Sequence, residues 1–137
     1  MLKDCRVFAT LPVTDPARAR RFYEEKLGLT PTEPDGDYYE CGGGTRFVIS
    51  KMGSKPGGHT QMAFAVDDIA GTLRELRSKG VVFEEYDYPT LKTVHGIADA
   101  GDLKAAWFND SEGNMIGVMQ ALSGAALAFA ATGSRAT

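Results

Sequence analysis

The sequence has little of several residue types that mark common functions. It holds only two cysteines and two histidines in 137 residues, and its 15 Lys and Arg are outnumbered by 18 Asp and Glu. The net charge is −3 and the Lys and Arg residues are scattered, so the sequence shows no dense basic face of the kind that nucleic acid needs. No apolar run approaches the roughly 20 residues of a membrane span, and the N-terminus lacks the apolar region of a signal peptide. We therefore expect a cytoplasmic protein with no nucleic-acid and no membrane partner.

The cysteines, Cys5 and Cys41, show no motif spacing, which favours free, reduced thiols in a cytosolic protein over the alternative of one disulfide between them. Hydrophobic residues make up 43% of the chain and charged residues 24%, as in an ordinary globular domain. The length suits one domain with one core.

The order of strand and helix signals predicts two similar halves. In the first half, a strand over residues 6–13 precedes an N-capping Asp15, and Gly28 ends the helix. In the second half, a strand over residues 61–66 precedes Asp67 and Asp68, and Gly80 ends the helix. Further strands are predicted at 38–41, 45–51, 81–86, 105–108 and 114–119, and a flexible connector at 53–58. We interpret the halves as copies of one unit.

Three stretches carry a family resemblance. They are LPVTDPARARRFYEEKLG at residues 11–28, QMAFAVDD at 61–68 and WFNDSEGN at 107–114. In this order they resemble the vicinal oxygen chelate superfamily, which comprises glyoxalase, bleomycin-resistance and extradiol dioxygenase proteins. The resemblance implies an α+β fold in which two βαβββ modules form an open, cup-shaped, eight-stranded mixed sheet with helices on the outer face.

The resemblance also implies how the chain is organised. It predicts a single domain over residues 1–120, with modules of about 1–56 and 57–120, and it implies a homodimer. An Ala-rich tail over residues 121–137 lies outside it. The alternation in the first strand then places Val7, Ala9, Leu11 and Val13 toward the helices, and Phe8, Thr10 and Pro12 toward the cavity.

Metal-dependent members of the superfamily hold an ion with four side chains, usually His and Glu, one from each of four cavity strands. The resemblance transfers these positions to Phe8, Ser50, Gln61 and Gly117. Phe8 and Gly117 have no donor side chain, and Ser50 and Gln61 are weak neutral donors. A shift of each position by one residue restores no ligand set. We therefore predict that the usual metal is absent and that the chain uses no cofactor.

Without a metal, the cavity face combines apolar walls with a few neutral polar groups, which is typical of ligand pockets. Trp107 and the Tyr38–Tyr39 pair offer flat surfaces for stacking. The hypothesis is a metal-free protein that binds a small apolar or aromatic molecule and resembles the bleomycin-resistance branch. The predicted ligand-binding residues are Phe8, Thr10, Val48, Ser50, Gln61, Trp107, Met115 and Gly117.

Two other functions stay open on the sequence alone. One is a glyoxalase- or dioxygenase-like enzyme with a displaced site near His59, His95, Asp99 or Glu40, because a His–Asp pair can orient an imidazole as a general base. The alternative for both histidines is a surface position without a catalytic role. The other function is a structural or interaction module whose cup interior is simply packed. Neither the ligand nor the presence of catalysis follows from the sequence.

Overall fold

The computed structural model describes residues 2–4, 6–51, 59–125 and 127. The connector at 53–58, Cys5 and most of the tail lie outside the described residues. The helices are α1 at Pro16–Arg21, continued by a wider helical turn at Phe22–Lys26, and α2 at Ile69–Ser78, with short 3-10 turns at Leu2–Asp4 and Gly42–Gly44. The strands are β1 Ala9–Pro12, β2 Tyr38–Glu40, β3 Arg46–Ser50, β4 Thr60–Ala65, β5 Asp87–Tyr88, β6 Leu91–Lys92, β7 Ala98–Asp99, β8 Leu103–Asn109 and β9 Met115–Ala121.

Both helices start and stop at the predicted signals. The Asp15 carboxylate accepts from the Arg18 backbone N–H at 3.1 Å, and Asp68, rather than Asp67, accepts from the Gly71 N–H at 3.1 Å. Gly28 and Gly80 follow the helices with φ of 73° and 90°, a conformation that glycine adopts without steric cost.

The two halves share one strand arrangement. In the first, β1 pairs in parallel with β3, which pairs antiparallel with β2. In the second, β4 pairs in parallel with β9, which pairs antiparallel with β8, and β7 extends that sheet. These mixed sheets and two helices confirm the α+β class. The strands of the described residues fall into three sheets, so the continuous eight-stranded cup stays a prediction.

The structure corrects three details of the strand pattern. The predicted strand at 81–86 is wrong, since that segment makes one isolated bridge, between Phe83 and Phe108. Strands β5, β6 and β7 were not predicted, because strands of two residues are too short to show alternation. Val7 precedes β1 and is 91% exposed, so it does not face the helices.

One hydrophobic core lies between the helices and one face of the two larger sheets. It joins the halves directly, because the Phe22 ring of the first helical segment lies 6.2 Å from the Phe108 ring of β8. No helix in the described part of the chain is long and apolar enough to cross a membrane. The core consists of Leu11, Val13, Ala19, Phe22, Tyr23, Tyr39, Phe47, Ile49, Ile69, Leu73, Val81, Phe83, Ala106, Phe108, Ile116 and Val118.

Candidate functional site

In the first sheet, part of the predicted site lies on the face opposite the core. Phe47 and Ile49 belong to the core, so Val48 between them points to the opposite face, where it is also buried. Val48 pairs with Thr10 of β1, which is exposed. Ser50 pairs with Pro12 at the other end of the strand. Phe8 lies just before β1 and is 56% exposed.

The second sheet groups another part of the predicted site. Gly117 of β9 lies between Ala63 of β4 and Trp107 of β8 in the strand register. Met115 lies two residues earlier on the same face of β9. Gln61 sits at a bulge, since Thr60 pairs with Met115 whereas Met62 already pairs with Ile116. An unpaired bulge residue escapes the regular alternation of the strand, so its sequence parity does not fix its direction.

An aromatic cluster that the sequence did not reveal adjoins Trp107. The Tyr86 ring centroid lies 5.7 Å from that of Trp107 at an interplanar angle of 74°. Tyr88 follows at 6.1 Å and 31° from Tyr86. The Tyr86 hydroxyl lies 4.0 Å from the Met115 sulfur, and burial, with a smaller contribution from Glu84, raises the pKa of Tyr86.

The predicted Tyr38–Tyr39 stacking surface is divided between two faces. Tyr38 is exposed, whereas Tyr39 lies in the core, stacked on Phe47 at 5.1 Å. The Tyr39 hydroxyl donates to Glu24 at 3.0 Å. Tyr38 alone is therefore available to a ligand.

Comparison with known proteins decides the family. The model of the Glyoxalase/Bleomycin resistance protein/Dioxygenase superfamily matches residues 7–118. The chain belongs to this superfamily. No curated protein sequence matches the chain.

Several solved structures share the fold at low identity. The antibiotic binding protein TnmS3 from Streptomyces sp. CB03234 is 22% identical, with a TM-score of 0.57 over 86% of this chain and 98% of its own. A glyoxalase/bleomycin resistance protein from the same strain is 22% identical, with a TM-score of 0.53 over 80% and 94%. A virulence protein from Salmonella typhimurium is 20% identical, with a TM-score of 0.59 over 88% and 99%.

The residues present do not fit the metal of the superfamily. The strand register shows which residues of the two halves are equivalent. Thr10 and Ala63 each lie five residues before a helix N-cap, and they pair with Val48 and Gly117. Val48, not Ser50, is therefore the equivalent of Gly117. Val48 also lacks a donor atom. In the described part of the chain, no three His, Cys, Asp or Glu side chains cluster in a way that suits a metal ion.

The neighbours of Gly117 leave little room for a side chain. A Cβ there would lie 3.2 Å from the Ala63 Cβ, 3.4 Å from the Thr60 Cγ2 and 3.7 Å from the Trp107 Cδ1. Gly117 therefore leaves less room than its lack of a side chain suggests, and a fourth ligand could not project from this position without moving its neighbours.

The candidates for a displaced catalytic site lie apart or are engaged elsewhere. His59 is an exposed residue just before β4. His95 is exposed in a turn with φ of 52°, and its carbonyl accepts from Arg77 at 2.8 Å. Asp99 accepts from the Gly101 N–H at 2.9 Å, and Glu40 pairs with Arg46 at 2.7 Å. The described contacts give no support to a His–Asp pair, and that hypothesis stays untested.

A buried carboxylate from the last hairpin fixes the start of α1. The Glu112 side chain has no exposed surface. Its Oε1 accepts from the Thr14 N–H, the Thr14 hydroxyl and the Asp15 N–H, each at 2.9 Å, and its Oε2 accepts from Arg18 Nε at 2.6 Å. The Arg18 hydrogen bond lowers the pKa of Glu112, as do those from Asp15 and Thr14, against the opposing effect of burial.

A second polar network lies under the same hairpin. Asp110 Oδ2 accepts from the Tyr23 hydroxyl at 2.7 Å, and Oδ1 accepts from the Glu112 and Asn114 N–H groups at 2.8 Å. The Asn114 amide donates to the Pro12 carbonyl at 2.9 Å. Burial and the nearby Asp110 raise the pKa of Tyr23 far above its ordinary value. These bonds fix β9 relative to the end of β1, and so hold the two sheets of the site in place.

Proposed function

We propose that this protein binds a small apolar or aromatic molecule, without a metal, on the face that carries Thr10, Val48, Trp107 and Met115. The observation that carries the proposal is the pair of matched positions Val48 and Gly117, neither of which has a donor atom. The face keeps apolar side chains beside a few neutral polar groups, as ligand pockets do.

The relatives support a binding role. TnmS3 is described as an antibiotic binding protein, and another structure of the same fold as a glyoxalase/bleomycin resistance protein. Identities of 22% establish the fold rather than the ligand, so binding of an antibiotic-like molecule is a proposal for this chain.

Elemental analysis and native mass spectrometry test the proposal together. The protein is prepared from cells grown with added zinc, nickel and manganese, with an EDTA-washed sample as control. We expect substoichiometric metal and one equivalent of a co-purified or added small molecule. One equivalent of metal, lost on substitution of Gln61 by Ala, would instead show a working metal site.

We further propose the predicted homodimer, the cytoplasmic location and the single domain over residues 1–120. Val7 and Phe8 are consecutive in the chain, 91% and 56% exposed, and large apolar side chains left open to solvent are candidates for an interaction surface. Sedimentation velocity of the wild type and of a Phe8→Ser variant tests the dimer, which we expect the substitution to weaken. A monomeric wild type at all concentrations would contradict it.

A further inference from the structure

We propose that the corner formed by Trp107 and Tyr86 binds a planar aromatic ring, uncharged or cationic, and that the segment at 82–93, which carries Tyr86, selects this class of ligand. The inference rests on the proposed function and deepens it, because it names the kind of molecule and the place of contact. Tyr86 and Tyr88 have no counterpart among the positions taken from the family resemblance.

The geometry of the corner suits a flat ring. The planes of Trp107 and Tyr86 meet at 74°, with centroids 5.7 Å apart. A planar ring laid against one of these faces is edge-on to the other. Aromatic rings favour these offset-stacked and edge-to-face contacts, since the face of a ring is electron-rich and its edge electron-poor. A saturated ring of the same size gains only the apolar contact.

The rings of Trp107, Tyr86 and Tyr88 form a row that extends from the sheet surface to solvent. Trp107 and Tyr86 are half-buried, and Tyr88 is 59% exposed. Met115 adjoins Tyr86, and a thioether is a polarizable neighbour that packs well against aromatic rings. The neighbours of Trp107 on this face of the sheet are small, namely Ala105 on the same strand and Gly117 opposite. The corner is therefore accessible on one side and backed by the sheet on the other.

The tyrosine side of the corner is held in place before a ligand arrives. The Tyr86 N–H donates to the Thr93 hydroxyl at 2.8 Å, and the Thr93 N–H donates to the Tyr86 carbonyl at 2.9 Å. The Glu85 carboxylate accepts from the same hydroxyl at 2.6 Å and from the Gly96 N–H at 2.7 Å. A preformed site loses less conformational entropy when it binds.

The charge of this region narrows the ligand class. Residues 84–104 contain five acidic residues and two lysines, and Arg77 of α2 adds one positive charge through its bond to the His95 carbonyl, so negative charge stays in excess. An excess of negative charge disfavours anionic ligands and favours neutral or cationic ones. The occupant is therefore a neutral or cationic planar aromatic molecule rather than a phosphate or carboxylate.

The single tryptophan makes the test direct. Trp107 is the only tryptophan of the chain, so its fluorescence reports on the corner. The probes are naphthamide and decahydronaphthamide, which are neutral, similar in size and different in planarity. We expect naphthamide to change the Trp107 emission saturably and to bind about tenfold more tightly than its saturated analogue.

Variants locate the contact, with affinity measured by calorimetry and folding checked by the urea midpoint. Tyr86→Leu should weaken naphthamide binding about tenfold, whereas Tyr86→Phe, which keeps the ring, should preserve it. Val82→Ala, at an exposed residue of the same segment, should leave it unchanged. Loss of binding in Tyr38→Leu but not in Tyr86→Leu would place the ring on the first sheet and overturn the inference.

The outcomes separate this inference from the proposed function. Equal affinities for the two probes would overturn the aromatic ligand class and leave small-molecule binding intact. If neither probe binds, the inference is wrong, and the proposed function survives only if native mass spectrometry finds another bound molecule.

Discussion

Replacement of Glu112 by Gln tests whether the last hairpin holds the start of α1. The substitution keeps the size of the side chain and removes its charge. Both carboxylate oxygens accept hydrogen bonds, from Thr14, Asp15 and Arg18. The Gln side chain has an NH2 group where Glu has its second oxygen. This NH2 group faces other donors and cannot accept a hydrogen bond from them.

The structure sets the expected size of the effect. Glu112 has no exposed side-chain surface, and hydrogen bonds to a buried charged group contribute about 1.5–3 kcal/mol each. Arg18 is 48% exposed, so solvent screens the ion pair and we assign it no separate share. The amide can keep its oxygen toward Thr14 and Asp15 and turn its NH2 group toward Arg18, so the loss of the charge and of one acceptor predicts destabilisation by about 1–2 kcal/mol at pH 7.

The difference between the wild type and Glu112→Gln also depends on pH. Folding lowers the pKa of Glu112, chiefly through Arg18. A lowered pKa adds stability that is fully present above the ordinary glutamate pKa of about 4.3 and is lost as the pH falls toward the folded-state value. The gap in unfolding free energy should therefore be widest at neutral pH and shrink below about pH 4.

Urea unfolding followed by circular dichroism at several pH values measures this gap. Glu75→Gln is the matched control, because Glu75 lies exposed on α2 and should differ little from the wild type. A Glu112→Gln protein within about 0.5 kcal/mol of the wild type at pH 7 would refute the reasoning, since this is the range of ordinary surface substitutions. A gap that does not change with pH would show that the charge is not involved.

Three further outcomes are expected. Gly117→His should lower the urea midpoint by an equivalent of about 1–3 kcal/mol, because its Cβ starts 3.2 Å from that of Ala63, and calorimetry should show no gain of zinc binding. Tyr23→Phe should cost about 1–3 kcal/mol in urea unfolding, because Asp110 loses a buried donor at 2.7 Å. Burial raises the pKa of Tyr23 and Tyr39, so their contribution is present below about pH 10 and lost as the pH rises. The ultraviolet absorbance of tyrosinate should show two of the five tyrosines ionising only as the chain unfolds.

Each of these outcomes has a contrary result. A Gly117→His protein that binds one zinc ion would show that the position can still hold a ligand. A Tyr23→Phe protein as stable as the wild type would show that the Asp110 network does not hold the hairpin. Ionisation of all five tyrosines near pH 10 in the folded protein would contradict the burial of two phenols.

The sequence predicted those features that depend on neighbouring residues. Helix caps at Asp15 and Asp68 and the glycines that end the helices are local signals, because cap and turn preferences act over a few residues. Apart from β7, the strands of both larger sheets were predicted from alternation and turn signals, and the family match over residues 7–118 confirms the resemblance. Residues of the site that lie within these strands were therefore placed on the correct strands.

Contacts between distant parts of the chain could not be predicted in this way. Glu112 meets Thr14 across 98 positions, and a turn residue gives no local sign of such a partner. The register of β3 against β1 moved one site position from Ser50 to Val48, because a shift of two residues keeps the same face and so leaves the alternation unchanged. The Tyr86–Trp107 corner depends on a segment that makes only short strands.

The Phe22–Phe108 contact and the Glu112 hydrogen bonds at the start of α1 determine whether the two halves can fold as separate chains. Each of the two predicted copies is about half the chain, and the halves contact each other through the core and through Glu112 at the start of α1. A fragment cut at the connector would expose apolar core surface that a short chain cannot cover by itself. We expect residues 1–56 and 57–137, made as separate polypeptides, to stay unfolded alone and to regain structure when mixed, as complementing fragments do.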